Sequence, residues 1–176
     1  MERISSNVGT IKVGIISDTH SYMDERILSF LDDVDEIWHA GDVGEANVLN
    51  ALSRKAKLKV VYGNIDDHNL RAEYPENLIF TIKGVKIFMT HIGGYPGKYS
   101  ARVKQIIETE NPNLFICGHS HITKIMPDKK HNLLHINPGA AGRHGFHHIR
   151  TIVTLEFSKG GMQNLKVIEL GKRSAL

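Results

Sequence analysis

Five short polar segments of this chain each close an apolar, strand-like run. They are Ser17-Asp18-Thr19-His20, Ala40-Gly41-Asp42, Tyr62-Gly63-Asn64-Ile65-Asp66, Met89-Thr90-His91 and Cys117-Gly118-His119-Ser120-His121. Carboxylate, amide and imidazole groups together suit first-row divalent metals such as Mn, Fe or Zn, whereas a structural zinc site would use thiolates. The chain has one cysteine, Cys117, so a thiolate site is excluded. Singly, each segment is weak, because an Asp after a strand more often caps a helix or closes a turn than binds a metal. Five of them in strand order carry more, since the carboxyl ends of strands in an open α/β sheet line one crevice. Asp18 and His20, like His119 and His121, are spaced i and i+2. In an extended segment such residues point the same way, so one cation can take both side chains.

Hydrophobic period identifies the elements that must present these segments. Lys12 to Ser17, Glu36 to Ala40 and Leu58 to Tyr62 read as strands, with helices between them over Met23 to Leu31 and Glu45 to Leu52. That alternation predicts crossover units and a mainly parallel sheet. The second half opens with a hairpin, Leu78 to Ile82 against Val85 to Met89 with its turn at Gly84. A helix over 99–110 follows, ended by Asn111-Pro112-Asn113, and then a buried strand over 114–117. Ile149 to Phe157 and Leu165 to Leu170, joined by Ser158-Lys159-Gly160-Gly161, predict a C-terminal β-hairpin within 149–170. The expected class is α/β: two facing mixed β-sheets flanked by helices, in one domain spanning 1–176 with the metal-competent segments inside 12–143.

Lys and Arg outnumber Asp and Glu by 22 to 19, and the basic clusters are short and scattered. This argues against general nucleic-acid binding and against an anionic membrane surface. No apolar stretch reaches the roughly 18 residues of a transmembrane helix. The N-terminal MERISSNVGT has no apolar leader run, and a single cysteine fits a reducing compartment, so the expected location is cytoplasmic.

The series Asp18-x-His20, Gly41-Asp42, Gly63-Asn64, His91 and Gly118-His119-x-His121 resembles the calcineurin-like metallophosphoesterase superfamily. The short length resembles its compact single-domain YfcE-like phosphodiesterase branch, and the likeness runs from Lys12 to about Arg143. The resemblance implies a β-sandwich flanked by helices, in four α/β/β/α layers, with two metal ions at the strand ends. Asp18, His20 and His121 would hold the first ion, Asn64, His91 and His119 the second, and Asp42 would bridge them. It implies hydrolysis of a small phosphate ester, a phosphodiester rather than a monoester, by in-line attack of a hydroxide shared by the two ions. Two cations about 3.5–4 Å apart can activate that hydroxide and clamp the phosphoryl oxygens. Without a bridging anion they repel, which makes Asp42 the least replaceable ligand. Mn is the expected metal, with Fe, Zn or Ni as alternatives. Strands at the sheet edges offer pairing into a homodimer or higher homo-oligomer.

The chain departs from the pattern at Ile65. Many members carry there a histidine that protonates the leaving alkoxide, and isoleucine has no proton to give. His68 would substitute if its loop folds inward, and is otherwise an exposed loop histidine. Asp66 is read as orienting a ligand, the alternative being a turn cap. Beside Asn64 and His91, the candidate substrate contacts are Lys98, after the glycines of the His91 loop, and Arg143, in a stretch with His144, His147 and His148. For both, a plain solvated loop is the competing reading. Asn137-Pro138-Gly139 is expected to shape the loop under the site, His39, Trp38 and Cys117 to pack within strands, and His131 and His135 to be peripheral. The alternative function is a non-catalytic protein-binding scaffold on the same fold, like the related subunit of the retromer complex. Scaffold-type relatives tend to lose histidines of the second metal site, whereas His91 and His119 are both present.

Overall fold

The computed structural model describes residues 9–174, so the outermost parts of the 1–176 span, 1–8 and 175–176, lie outside the described residues. Strands buried on both faces read as continuous apolar runs, and here such runs supply most of the inner strands of two five-stranded sheets. The first contains β1 (Ile11–Ile16), β2 (Glu36–His39) and β3 (Lys57–Val60), all parallel, with crossover helices α1 (Glu25–Phe30) and α2 (Ala46–Ser53). After α3 (His68–Glu73), the second sheet is built from β4 (Asn77–Ile82), β5 (Val85–Thr90), β6 (Leu114–Ile116), β7 (Lys124–Asp128) and β8 (Leu133–Asn137). Helix α4 (Ala101–Glu110) crosses from β5 to β6. The chain then returns to the first sheet as an antiparallel pair, β9 (Ile149–Ser158) and β10 (Gly161–Lys172). The orders are β10-β9-β1-β2-β3 and β4-β5-β6-β8-β7.

Alternation along β1 shows how the layers form. Val13 and Ile15 enter the core between the sheets, with Trp38, Ile87, Met89, Ile116 and Phe157. Ile16 faces the other way, into a second core with Ile27 and Leu31 near α1 and Val48 and Leu52 of α2. Gly14 lies under α1 so closely that a Cβ there would be 2.3 Å from Leu31 Cδ2. On the far side Phe88 and Phe115 stack with centroids 5.0 Å apart and meet Val103 and Ile107 of α4. The result is the expected α/β/β/α stack. Helix starts follow capping chemistry: Asp24, Asp67 and Ser100 accept from the amides of Ile27, Leu70 and Val103 at 2.9, 3.0 and 3.3 Å. Among the described residues no helix is long and apolar enough to cross a membrane.

Four elements differ from what the sequence predicts. The β7–β8 pair was not expected, because Pro127 interrupts one strand and His135 the other. Proline is tolerated in β7 because that strand forms a sheet edge. Helix α3 buries a single apolar residue, Leu70, and so shows no hydrophobic period. β10 is longer than expected, running from 161 to 172, because register shifts between Gln163 and Lys166 and between Glu169 and Gly171 obscure its alternation.

His135 is not peripheral. It is fully buried beside Phe115 and Tyr99, with ring centroids 5.6 and 6.3 Å away. Neither ring nitrogen has a hydrogen-bond partner among the described residues. His131 is also engaged: its Nδ1–H donates to Asp128 at 2.6 Å, and the Tyr99 hydroxyl donates to the same carboxylate at 3.0 Å. Burial, reinforced by the charge of Lys124, drives the His135 pKa from 6.5 down to about 4. The folded value is the depressed one, so as pH falls from 6.5 to 4 the unfolded chain takes up a proton that the folded chain refuses. Urea unfolding should therefore show about 2 kcal/mol less stability at pH 5 than at pH 7 from this group. In His135→Leu that difference should shrink by a similar amount; an equal difference in both proteins would locate the titration elsewhere.

Candidate metal centre

The polar segments do not continue their strands but turn sharply as the sheet ends. Asp18 (φ 53°), His20 (46°), Asp42 (53°), His119 (70°) and His121 (59°) all adopt left-handed backbone conformations. The expectation that an extended i, i+2 geometry pairs Asp18 with His20 is thus corrected: tight left-handed turns aim these side chains. Such conformations cost roughly 1–2 kcal/mol per residue and persist where surrounding bonds over-determine them. Those bonds are present. The amides of Asp18 and His20 donate to the carbonyls of Gly41 and Asp42, each at 3.0 Å, and the Gly142 amide donates to the Asp18 carbonyl at 3.1 Å.

Two donor groups result, with all ligand atoms in each within 4.8 Å of one another: Asp18, His20, Asp42 and His121, and Asp42, His91 and His119. Asp42 belongs to both. Its Oδ2 lies 3.4 Å from His20 Nε2 and its Oδ1 lies 3.1 Å from His91 Nε2. Asp18 Oδ1 lies 3.2 Å from His121 Nε2 and is buried with no hydrogen-bond partner among the described residues. Asn64 Oδ1 joins the second group, 3.1 Å from His91 Nε2 and 2.9 Å from His119 Nδ1.

Tautomers show what this arrangement lacks. His91 Nδ1–H donates to the Ala40 carbonyl at 2.8 Å, which turns the Nε2 lone pair toward Asp42 and Asn64. In the neutral ring, three acceptors then face one another without a proton. Burial alone would lower the His91 pKa, but the hydrogen bond to Asp42 and the charges of Asp18 and Asp42 outweigh it and hold it above its ordinary value. His121 is likewise raised, chiefly by the Asp18 carboxylate beside it, whereas burial lowers His20. The buried acidic pair draws protons onto imidazoles where a cation would sit. A divalent metal fits this donor set and would release those protons on binding.

The surrounding residues fix the loops. The Gly41 amide donates to His39 Nδ1 at 3.2 Å, so His39 Nε2–H donates to Thr19 Oγ1 at 2.9 Å, and Thr19 donates to the Val43 carbonyl at 2.9 Å. Burial holds His39 neutral, with a pKa of about 4. The buried Asp66 carboxylate accepts from the amides of Gly44 and Gly63 at 2.8 and 2.7 Å, tying the Asp42 loop to the Asn64 loop. Arg71 donates to the carbonyls of Asp66 and Asn64 at 2.7 and 2.8 Å. Nothing in the sequence marks this residue, since a lone arginine in a short polar helix carries no motif. Asn137 Nδ2 donates to the Gly118 carbonyl at 2.8 Å, so the Asn137-Pro138-Gly139 turn supports the His119 loop. Cys117 is buried alongside and donates its thiol to the Gly94 carbonyl at 3.4 Å; burial, with Asp18 nearby, pushes its pKa up to about 12.

A cleft of about 760 Å³ opens over the donors, lined by His20, Asp42, Asn64, His119 and His121 among others. Ile65 lines it as well. His68 does not; it is the exposed first residue of α3. Lys98 and Arg143 also stand outside the lining. Lys98 Nζ lies 6.0 Å from the Tyr95 ring centre, and the Arg143 guanidinium lies 4.6 Å from that of Tyr22. Two glycines of the His91 loop serve packing, since a Cβ on Gly93 would fall 2.4 Å from Phe115 Cζ and one on Gly94 would fall 2.3 Å from the Lys98 carbonyl oxygen, whereas Gly97 (φ 86°) faces open space.

Aspartate, histidine and asparagine donors on the strand-end loops of a two-sheet sandwich form a site suited to divalent metal. Residues 11–160 match the calcineurin-like phosphoesterase superfamily domain. A "Probable metallophosphoesterase" of Methanocaldococcus jannaschii is 32% identical over 75% of this chain and 69% of its own length. Among solved structures, a novel archaeal phosphodiesterase has a TM-score of 0.70 at 23% identity, over 90% of this chain and 99% of that one. Vps29 of Chaetomium thermophilum has a TM-score of 0.70 at 13% identity, over 90% of this chain and 95% of that one. At those identities the likeness is one of fold. The chain belongs to the calcineurin-like phosphoesterase superfamily and is a metal-dependent phosphoric ester hydrolase.

Gly118 offers a test of the backbone's part in the centre. A Cβ there would lie 2.0 Å from Ser17 Oγ and 2.8 Å from Asp18 Oδ2. Gly118→Ala should shift Asp18 and weaken metal retention by about tenfold or more, measured by elemental analysis after dialysis, while circular dichroism stays unchanged. Undiminished metal content would show that the backbone at Gly118 does not set the position of Asp18 in the centre.

Proposed function

We propose that the chain is a binuclear metal-dependent phosphodiesterase, with Asp18, His20 and His121 holding one ion, Asn64, His91 and His119 the other, and Asp42 bridging. One observation carries the reading: Asp42 is common to the two donor groups and turns one carboxylate oxygen to each. Two divalent ions, Mn by preference, would lower the pKa of a water between them and offset charge building on the phosphoryl oxygens. The chain's own residues do the rest. Asp42 counters the repulsion between the ions, the Ala40 carbonyl keeps the His91 lone pair on target, and Asp66 and Arg71 hold Asn64 in place. Ile65 lines the cleft next to Asn64 and has no proton to donate, and His68 stands outside the lining. Esters that need little help to expel the leaving group are therefore favoured over alkyl phosphomonoesters.

The test strips metal with a chelator, restores Mn²⁺, Fe²⁺, Zn²⁺ or Ni²⁺ in turn, and compares bis-p-nitrophenyl phosphate with p-nitrophenyl phosphate. Diester cleavage should require the metal, and Asp42→Asn should lower turnover by more than about 100-fold with the fold intact. A fully active Asp42→Asn would refute the bridging role. Ile65→His should raise monoester hydrolysis relative to diester; an unaltered ratio would show that another group protonates the leaving alkoxide. The second reading, a protein-binding scaffold, is favoured by exposed apolar side chains at the cleft, Phe146 at 99% and Ile122 at 62%. Inactivity with every ion would support it.

A further inference from the structure

The cleft extends well beyond the donor atoms, and its far wall is apolar. Ile122, Phe146, Ile149 and Val167 line it, and all four are exposed. Grouped exposed apolar side chains beside convergent polar groups are the signature of a ligand pocket. Phe146 is not on a loose tip. The Gly142 amide bonds the Asp18 carbonyl at 3.1 Å, and Gly145 (φ 113°) lies so close that a Cβ would fall 2.1 Å from His121 Nδ1. His147 Nε2–H donates back to the Gly142 carbonyl at 3.0 Å, and Arg173 Nε–H donates to the His147 carbonyl at 2.9 Å. The loop thus holds a bare aromatic ring at the edge of the metal centre.

Charge narrows the occupant. The described lining residues include no lysine or arginine, because Lys98 and Arg143 lean on Tyr95 and Tyr22 instead. Glu169 adds a negative charge on the apolar side. A further phosphate on the substrate would meet that carboxylate, with the imidazoles of His144, His147 and His148 but no lysine or arginine among the described lining residues to offset it. A neutral planar group is accommodated without such a cost, and an exposed phenyl ring offers it a face for stacking.

We propose that this wall is a subsite for an aromatic substituent of a phosphodiester, with Phe146 stacking on that substituent and Ile122 packing its edge. The assignment rests on the phosphodiesterase reading above and specifies its substrate class. Isothermal titration of the metal-loaded protein with diphenyl phosphate and with dimethyl phosphate tests it. The aryl diester should bind at least about tenfold tighter, and Phe146→Ala and Ile122→Ser should each erase most of that preference. Both side chains are exposed, so neither change should disturb folding. Equal affinity for the two diesters, or a preference that survives both substitutions, would overturn the subsite and give the wall to a protein partner or a second copy of the chain. An aryl preference that depends on Phe146, in a protein that hydrolyses no phosphodiester with any metal, would uphold the subsite and sink the phosphodiesterase reading alone.

Discussion

Two buried carboxylates, Asp18 and Asp42, have oxygens within 4.8 Å of one another, and the rest of the centre answers to their repulsion. At an effective dielectric of 20 that repulsion is about 3 kcal/mol, a sizeable part of the 5–15 kcal/mol by which domains are stable. Imidazoles crowd around the pair, and His91 and His121 are held more basic than usual because a proton there partly meets the demand. A divalent cation meets it better. The strained turns, the tautomer set by Ala40 and the amides trained on Asp66 all keep these acids from relaxing apart.

The donors come from both sheets. Asp18, His20, Asp42 and Asn64 follow strands β1, β2 and β3 of the first, and His91, His119 and His121 follow strands β5 and β6 of the second. Their spacing therefore depends on the core between the sheets, where Trp38, Met89 and Ile116 meet. A metal that ligates residues from both sheets ties them together, so metal binding and sheet packing draw on one free energy. This is why a sandwich, whose interior yields little, suits a centre that tolerates little error in position.

That these aspartate, histidine and asparagine side chains would come together was legible because their chemistry is written in residue type and their convergence follows from strand order. The α/β/β/α layering was legible for a similar reason, since strands buried on both faces announce themselves as unbroken apolar runs. What stayed hidden depends on conformation or on direction. Left-handed turns at Asp18, His20, His119 and His121 have no sequence mark, since none is glycine. The β7–β8 pair is masked by Pro127 and by His135, whose burial contradicts its polarity. Lys98 and Arg143 sit in segments near the site, yet flexible side chains point where local rings attract them, and spacing does not record direction. Arg71 acts through the carbonyls of Asp66 and Asn64, and Gly145 through its closeness to His121, contacts that only the folded chain brings about.

Cys117 has a consequence of its own. Its thiol is buried one residue from Gly118 and two from His119, and its pKa near 12 leaves almost no thiolate at neutral pH. A thiol reagent would reach it only when the strand-end loops part, so its labelling rate is a clock for the breathing of the centre, set by how often the cleft floor opens. The same seclusion withholds a soft sulfur ligand from incoming ions, which leaves selection among metals to oxygen and nitrogen alone.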